Sequence, residues 1–293
     1  MSHGEEAAIT YSGLIVLSMI WGLAFVAIKS AVQELSPVNL ALMRWLIASV
    51  CFIALLPIIG KSGPRLDGKD VPRLLVVAFA NVAGYHISLN YAETSISAGL
   101  SAFLIAFGPV FIVLLSTLLL GEKAGLRVLL ALLLAILGTL VLSISSFGVN
   151  DLSSLYGPVE AVLSALFYAL FAVLGKPLVQ KYGAGPTTIR AGLLGTAMML
   201  PLLSTSFISQ AESLPFDGWI SVLYLSVIST VLGYLLFYML VSRRAVSRLS
   251  IQLYLIPIVS AVGGALLLNE SVTISLAIGG GMMLAAVALA TRR

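Results

Sequence analysis

Apolar runs of about 20 residues recur along this 293-residue sequence, separated by short polar stretches. In helical form such a run rises 1.5 Å per residue and matches a bilayer hydrocarbon core of roughly 30 Å. A backbone inside hydrocarbon must pair its own N–H and C=O groups, which leaves only helices and closed barrels. The period-2 alternation of a membrane barrel is absent, so the runs read as helices. Charged residues make up 10% of the chain, against about 25% in soluble domains. Mean hydropathy is +1.10. Ten spans follow, at 11–31, 38–59, 73–93, 97–120, 126–146, 156–177, 187–207, 218–240, 247–268 and 272–291. The first span is long, has no basic residue before it and no clear cleavage site after it, unlike a signal peptide. Cys51 is the only cysteine, which rules out an intramolecular disulfide and gives no hint of a metal site.

The basic residues explain the net charge of +4 without nucleic acid. Ten spans put fourteen of the sixteen Lys and Arg on the side of the N-terminus, leaving Lys29 and Arg44 as the exceptions. By the positive-inside rule both termini are expected in the cytoplasm.

Two segments then stand out. "TLLLGEKAG" at 117–125 and "GALLLNESV" at 264–272 each end an apolar run in an acid, Glu122 and Glu270. A proline stands 13 residues before each acid, Pro109 and Pro257. "LNY" at 89–91 recurs as "LFY" at 236–238, and the same spacing of 147 lays Lys29 on Lys176 and Trp21 on Tyr168. The reading is a duplicated unit, 1–147 and 148–293. Five spans is an odd number, so the second unit enters the membrane from the opposite face. The expected fold is an all-α membrane protein of ten transmembrane helices in two inverted-topology five-helix repeats. Such halves exchange conformations about a midplane site, which is the basis of alternating access.

Two five-span halves, each closing its fourth span with Pro-x12-Glu after a Leu-rich run, resemble the EamA-type members of the drug/metabolite transporter superfamily. The resemblance covers essentially the whole chain, and within the superfamily it is nearest in pattern to bacterial YddG-type amino-acid exporters. It implies a bacterial-type inner-membrane protein moving small metabolites, often outward. It also implies that spans 1, 3, 4, 6, 8 and 9 surround the cavity while spans 5 and 10 pack outside.

Polar side chains facing lipid are costly and usually turn inward. Span 3 carries Asn81, Tyr85 and Ser88 on one face, and His86, Asn90 and Glu93 on another. Span 8 carries Ser226, Thr230, Tyr234 and Tyr238 at i+4 steps, whereas "LLALLLAILGTLVL" in span 5 is almost bare of polar groups. Trp21, Tyr85, Tyr168 and Tyr234 lie near mid-span and can surround a mixed apolar–polar solute. The alternative for any one ring is packing, or an interfacial belt for Tyr91 and Tyr254. His86 can bind substrate or relay a proton, or else bond Asn90 one turn on. Ser101 joins the substrate-binding candidates. Gln252 either lines the path or joins helices. Lys29 and Arg44 are expected to be structural, paired with an outer acid (Glu34, Glu93 or Glu160) or snorkelling; the alternative is capture of a substrate anion. Glu122 and Glu270 read as anchors at helix ends.

No Asp or Glu falls mid-span, so a carrier driven by the solute's own gradient is expected unless His86 takes protons. No Walker loop, nucleotide fingerprint or cofactor motif appears. The expected function is an alternating-access secondary transporter exporting small metabolites, amino acids above others, with lipid as its surroundings and a monomer sufficient. A multidrug or nucleoside exporter of the same fold is the alternative. An ion channel lacks a filter sequence, and an intramembrane serine protease built on Ser101 and His86 lacks an elbow and leaves the repeat unexplained.

Overall fold

The computed structural model describes residues 3–60, 64–120, 155–243 and 251–291, with isolated positions between 126 and 141. The described residues are helical, without strands. Ten helices are named here: α1 (His3–Ala31), α2 (Pro37–Ile59), α3 (Gly68–Ser95), α4 (Ala98–Leu119), α5 (Tyr156–Tyr182), α6 (Ala184–Leu202), α7 (Thr205–Ser213), α8 (Phe216–Leu240), α9 (Ile251–Leu267) and α10 (Ile274–Thr291). They differ from the expected ten spans. The region of the fifth span, with Glu122, lies largely outside the described residues, and α5 corresponds to the sixth span.

Among the described residues, six helices are long and apolar enough to cross a membrane, or seven if α6 and α7, bent by 105°, are one span. The apolar parts of α9 and α10, Leu255–Leu267 and Leu276–Ala286, are shorter. The expected span 187–207 shifts for a local reason. Pro201 falls in a short 3-10 turn after Met199, and a proline has no N–H to continue the helix, so the chain turns into α7.

Helix starts follow the sequence closely. Ser36 accepts a hydrogen bond from the Asn39 N–H, with Pro37 in the first turn of α2. Ser97 does the same for Leu100 at the start of α4. Large apolar side chains such as Val50, Ile58, Leu118 and Ile274 face outward. On a soluble protein so much exposed apolar surface would invite aggregation, whereas lipid solvates it.

Two helices depart from α geometry in their middle. Phe79–Gly84 in α3 and Tyr224–Leu232 in α8 are π-helical, with i→i+5 hydrogen bonding, a form found mostly in short pieces at functional sites. The first ends at Gly84, and the second is followed by Gly233. A Cβ on Gly84 would stand 2.6 Å from the Phe167 ring, and one on Gly233 would stand 2.6 Å from Trp21 Nε1. Each glycine therefore admits an aromatic ring from α5 or α1.

The packing has a regular exchange pattern. α1 packs on α8 and α9, and α5 packs on α3 and α4. α2 lies against α3, α6 and α8, while α6 lies against α2, α3 and α8. Between α2 and α6, Ser49 Oγ donates to Thr196 Oγ1 at 2.9 Å, across 147 residues of sequence.

Candidate substrate-binding site

Where these helices converge, they line a narrow, partly open cavity with room for little more than a water molecule. α1 supplies Trp21, Ala24, Phe25 and Ile28, whose i, i+3, i+4, i+7 spacing places them on one face. α2 supplies Arg44, α3 supplies Tyr85 and Leu89, α5 supplies Tyr168, and α8 supplies Ser229 and Tyr234. Trp21 is the hub of the rings. Its centroid lies 6.4 Å from Tyr168 at 90°, 5.6 Å from Tyr234 and 5.4 Å from Phe237. Phe171, Phe237 and Tyr238 continue the cluster as a fully buried layer. Edge and tilted contacts of this kind add to the burial of each ring.

Arg44 is the one charged group lining this space. It is 3% exposed; its Nε donates to Thr230 Oγ1 at 2.6 Å and its Nη2 to Ser229 Oγ at 3.0 Å. Among the described residues no carboxylate lies within 4.0 Å of it, so the acid partner expected from the sequence is replaced by two hydroxyls. The π-helical turn of α8 brings these adjacent residues together against the guanidinium. Hydroxyls hold its position without pairing its charge. Trp21 supports the same turn, because its Nε1 donates to the Ser229 carbonyl at 3.1 Å.

The other candidates divide. His86 is fully buried; its Nε2 meets the Tyr234 hydroxyl at 3.2 Å, and its ring packs on Trp45 and Tyr85. It does not bond Asn90, whose Nδ2 donates to the Pro37 carbonyl at 2.9 Å and ties α3 to the start of α2. Thr230 reaches the cavity through Arg44. Asn81 is buried within the π-helical turn of α3, outside the lining. Ser101 is buried in α4 with no hydrogen-bond partner for its Oγ among the described residues, and no hydrogen bond joins it to His86 as a dyad would require. Gln252 is in the first turn of α9, and its side chain lies outside the described residues. Lys29 neither snorkels nor pairs with a carboxylate. Its Nζ donates to the carbonyls of Glu93 and Ile96, at 2.7 and 2.9 Å, where cations favour a helix C-terminus. Ser229, Phe25 and Leu89 line the cavity without having been singled out; Ser229 and Arg44 share no spacing that a sequence displays.

Glu93 is the other departure. A boundary at 93 makes it interfacial, but α3 continues to Ser95 and buries it completely, with neither carboxylate oxygen hydrogen bonded among the described residues. A buried acid without donors stabilises nothing. Glu93→Met is therefore expected to leave the melting temperature of the purified protein unchanged or to raise it by several degrees. A clear fall would mean that the carboxylate is engaged.

Residues 8–144 and 155–292 each match the EamA-like transporter family. The chain belongs to that family. As an EamA-like transporter it is a multi-pass membrane protein and not an enzyme, which disposes of the protease reading. An uncharacterized transporter of Archaeoglobus fulgidus is 33% identical over 273 residues, covering 93% of this chain and 95% of the relative. A Streptantibioticus cattleyicolor protein described as a "probable terminal-alkyne amino-acid exporter" is 27% identical over 280 residues, 96% of this chain and 92% of that protein. A solved crystal structure shares the fold with a TM-score of 0.66 at 18% identity, over 97% of this chain and 96% of that one.

Proposed function

We propose that this EamA-like transporter is an alternating-access secondary carrier exporting small metabolites, amino acids foremost, across the cytoplasmic membrane. Its two units, 1–147 and 148–293, act as inverted five-span repeats with both termini in the cytoplasm. One observation carries this reading. Trp21 and Tyr168, 147 residues apart, touch at the cavity, and Ser49 and Thr196, also 147 apart, hydrogen bond to one another. Contact between residues that share the 147 spacing is what a two-fold axis beside the cavity would produce, and it supports one there. The matched packing of α1 on α8 and α5 on α3, and the paired π-helical turns, support the same symmetry. A midplane site between inverted halves is the arrangement that alternation requires.

The cavity is narrow, so a solute of amino-acid size enters as the halves separate. Rings, hydroxyls and one cation suit a small amphipathic solute, and the Streptantibioticus relative is described as exporting an amino acid. The solute's own gradient drives net flux.

In proteoliposomes, saturable counterflow of amino acids is expected. Cysteines introduced at Phe25 and Tyr238, in a Cys51→Ser background, are expected to label from opposite faces, with substrate changing the two in opposite senses. Simultaneous labelling of both from both faces, or an unsaturable conductance, would sink the carrier. The tie between α3 and α5 provides a gentler test. Asp70 accepts from Lys181 Nζ at 2.7 Å and from the Tyr182 hydroxyl at 2.6 Å. Lys181 is half exposed, and solvent screening leaves such pairs only a small contribution. Asp70→Asn is thus expected to shift labelling rates by about fivefold or less, with transport retained.

A further inference from the structure

The cavity holds a fixed positive charge, and among the described residues no acid lines it. Arg44 is nearly buried, and among the described residues its partners are the hydroxyls of Ser229 and Thr230. An uncancelled ion in such a place is unfavourable and gains most from a counter-ion brought with the cargo. Of the five N–H donors of a guanidinium, these bonds use two, and the planar fork suits a carboxylate geometrically. Beside it stand the faces and edges of Tyr85, Tyr168 and Trp21, which accept an apolar or aromatic body. Nothing in the lining offers a carboxylate to a substrate ammonium. Glu93 lies buried outside the lining, and Glu270 is occupied by the Ala98 N–H at 3.0 Å.

We propose that Arg44 binds the substrate carboxylate and that the site selects organic monocarboxylates with an apolar or aromatic body, the α-ammonium of an amino acid adding little to recognition. This rests on the carrier reading. Loading a monoanion neutralises the cavity, a zwitterion leaves it with the arginine's net charge, and an amine without a carboxylate places two cations together. Recognition therefore ranks acid at or above amino acid, and both above amide or amine. Ser229 and Thr230 hold the guanidinium from one edge, so the carboxylate meets it without displacing them.

The experiment uses the full-length protein in proteoliposomes, with labelled 3-phenylpropionate as the counterflow solute. Unlabelled 3-phenylpropionate, phenylalanine, 3-phenylpropionamide and phenethylamine are the competitors. The acid is expected to compete at least as well as phenylalanine, and the amide and amine about tenfold more weakly or worse, the loss of one charge-assisted contact. Arg44→Gln is expected to lose the acid's counterflow by about tenfold or more and to erase the preference for acid over amide, with Arg44→Lys between them. Amide or amine matching the acid in the unmodified protein overturns the inference whether or not the variants fold. So does retention of the acid preference in a monodisperse Arg44→Gln protein. Counterflow of some other solute, with none of these four recognised, overturns the carboxylate assignment and leaves the carrier standing; absence of saturable counterflow for every solute in an amino-acid and nucleoside panel removes both.

Discussion

Gly195→Ala is expected to destabilise the protein by about 1–3 kcal/mol, the usual range for overpacking a tight interface. Gly195 lies in α6, where that helix crosses α3. A Cβ there would stand 2.6 Å from the backbone carbonyl oxygen of Ala78 and would overlap the Val82 side chain. A new rotamer would move the Val82 Cγ atoms but not its Cβ, 2.5 Å away, and Ala78 is the residue before the π-helical turn, its carbonyl fixed by the helix. The helices must part, and small residues are what let membrane helices approach so closely. The loss is measured as a fall in melting temperature by size-exclusion analysis of heated, detergent-solubilised protein, and Gly195→Leu should not accumulate at all. Gly68→Ala serves as the control, since nothing lies within 4 Å of its added Cβ. Equal melting temperatures for Gly195→Ala and Gly68→Ala would remove close helix approach from this account.

Trp21→Ala carries the largest expected effect on transport. Trp21 joins three of the cavity's parts at once: it packs on Tyr168 and Tyr234, covers Gly233, and holds the Ser229 carbonyl. Truncation of a fully buried large aromatic costs about 3–5 kcal/mol and of the partly buried Trp21 less, but here the loss also frees the turn that positions Arg44. Initial flux is expected to drop by about tenfold or more even when corrected for folded protein. Trp21→Phe separates the two contributions. It keeps a ring against Tyr168 and loses the N–H donor, so an intermediate flux with near-normal stability is expected. Full activity in Trp21→Ala would show that the ring hub has no part in transport.

Much of the architecture was legible because hydrocarbon imposes a single rule on length and polarity. The first four apolar runs and those around residues 156 and 218 appear as long helices, and Ser36, Pro37 and Ser97 begin theirs as capping chemistry demands. The spacing of 147 also pointed to Trp21 and Tyr168, which do meet. What stayed hidden depends on geometry that leaves no periodic trace. An i+4 stripe places Ser226, Thr230, Tyr234 and Tyr238 together, but the π-helical turn alters that register. Ser226 spends its hydroxyl on its own helix, at the Val222 carbonyl, while the unremarked Ser229 reaches Arg44. The burial of Glu93 was missed because it depends on where neighbouring helices end rather than on its own segment. The attachment of Asn90 to the Pro37 carbonyl, instead of to His86, is a contact across 53 residues that no local pattern displays.

The ring hub also makes the unlabelled molecule an optical instrument. Of its three tryptophans, Trp21 lines the cavity and Trp45 packs on His86 and Tyr234 beside it, whereas Trp219 is not among the lining residues. With Trp219→Phe as background, near-ultraviolet excitation interrogates the two indoles at the cavity. Ligand occupancy and the rate of each conformational turnover then become readable from emission intensity and wavelength, with no dye attached.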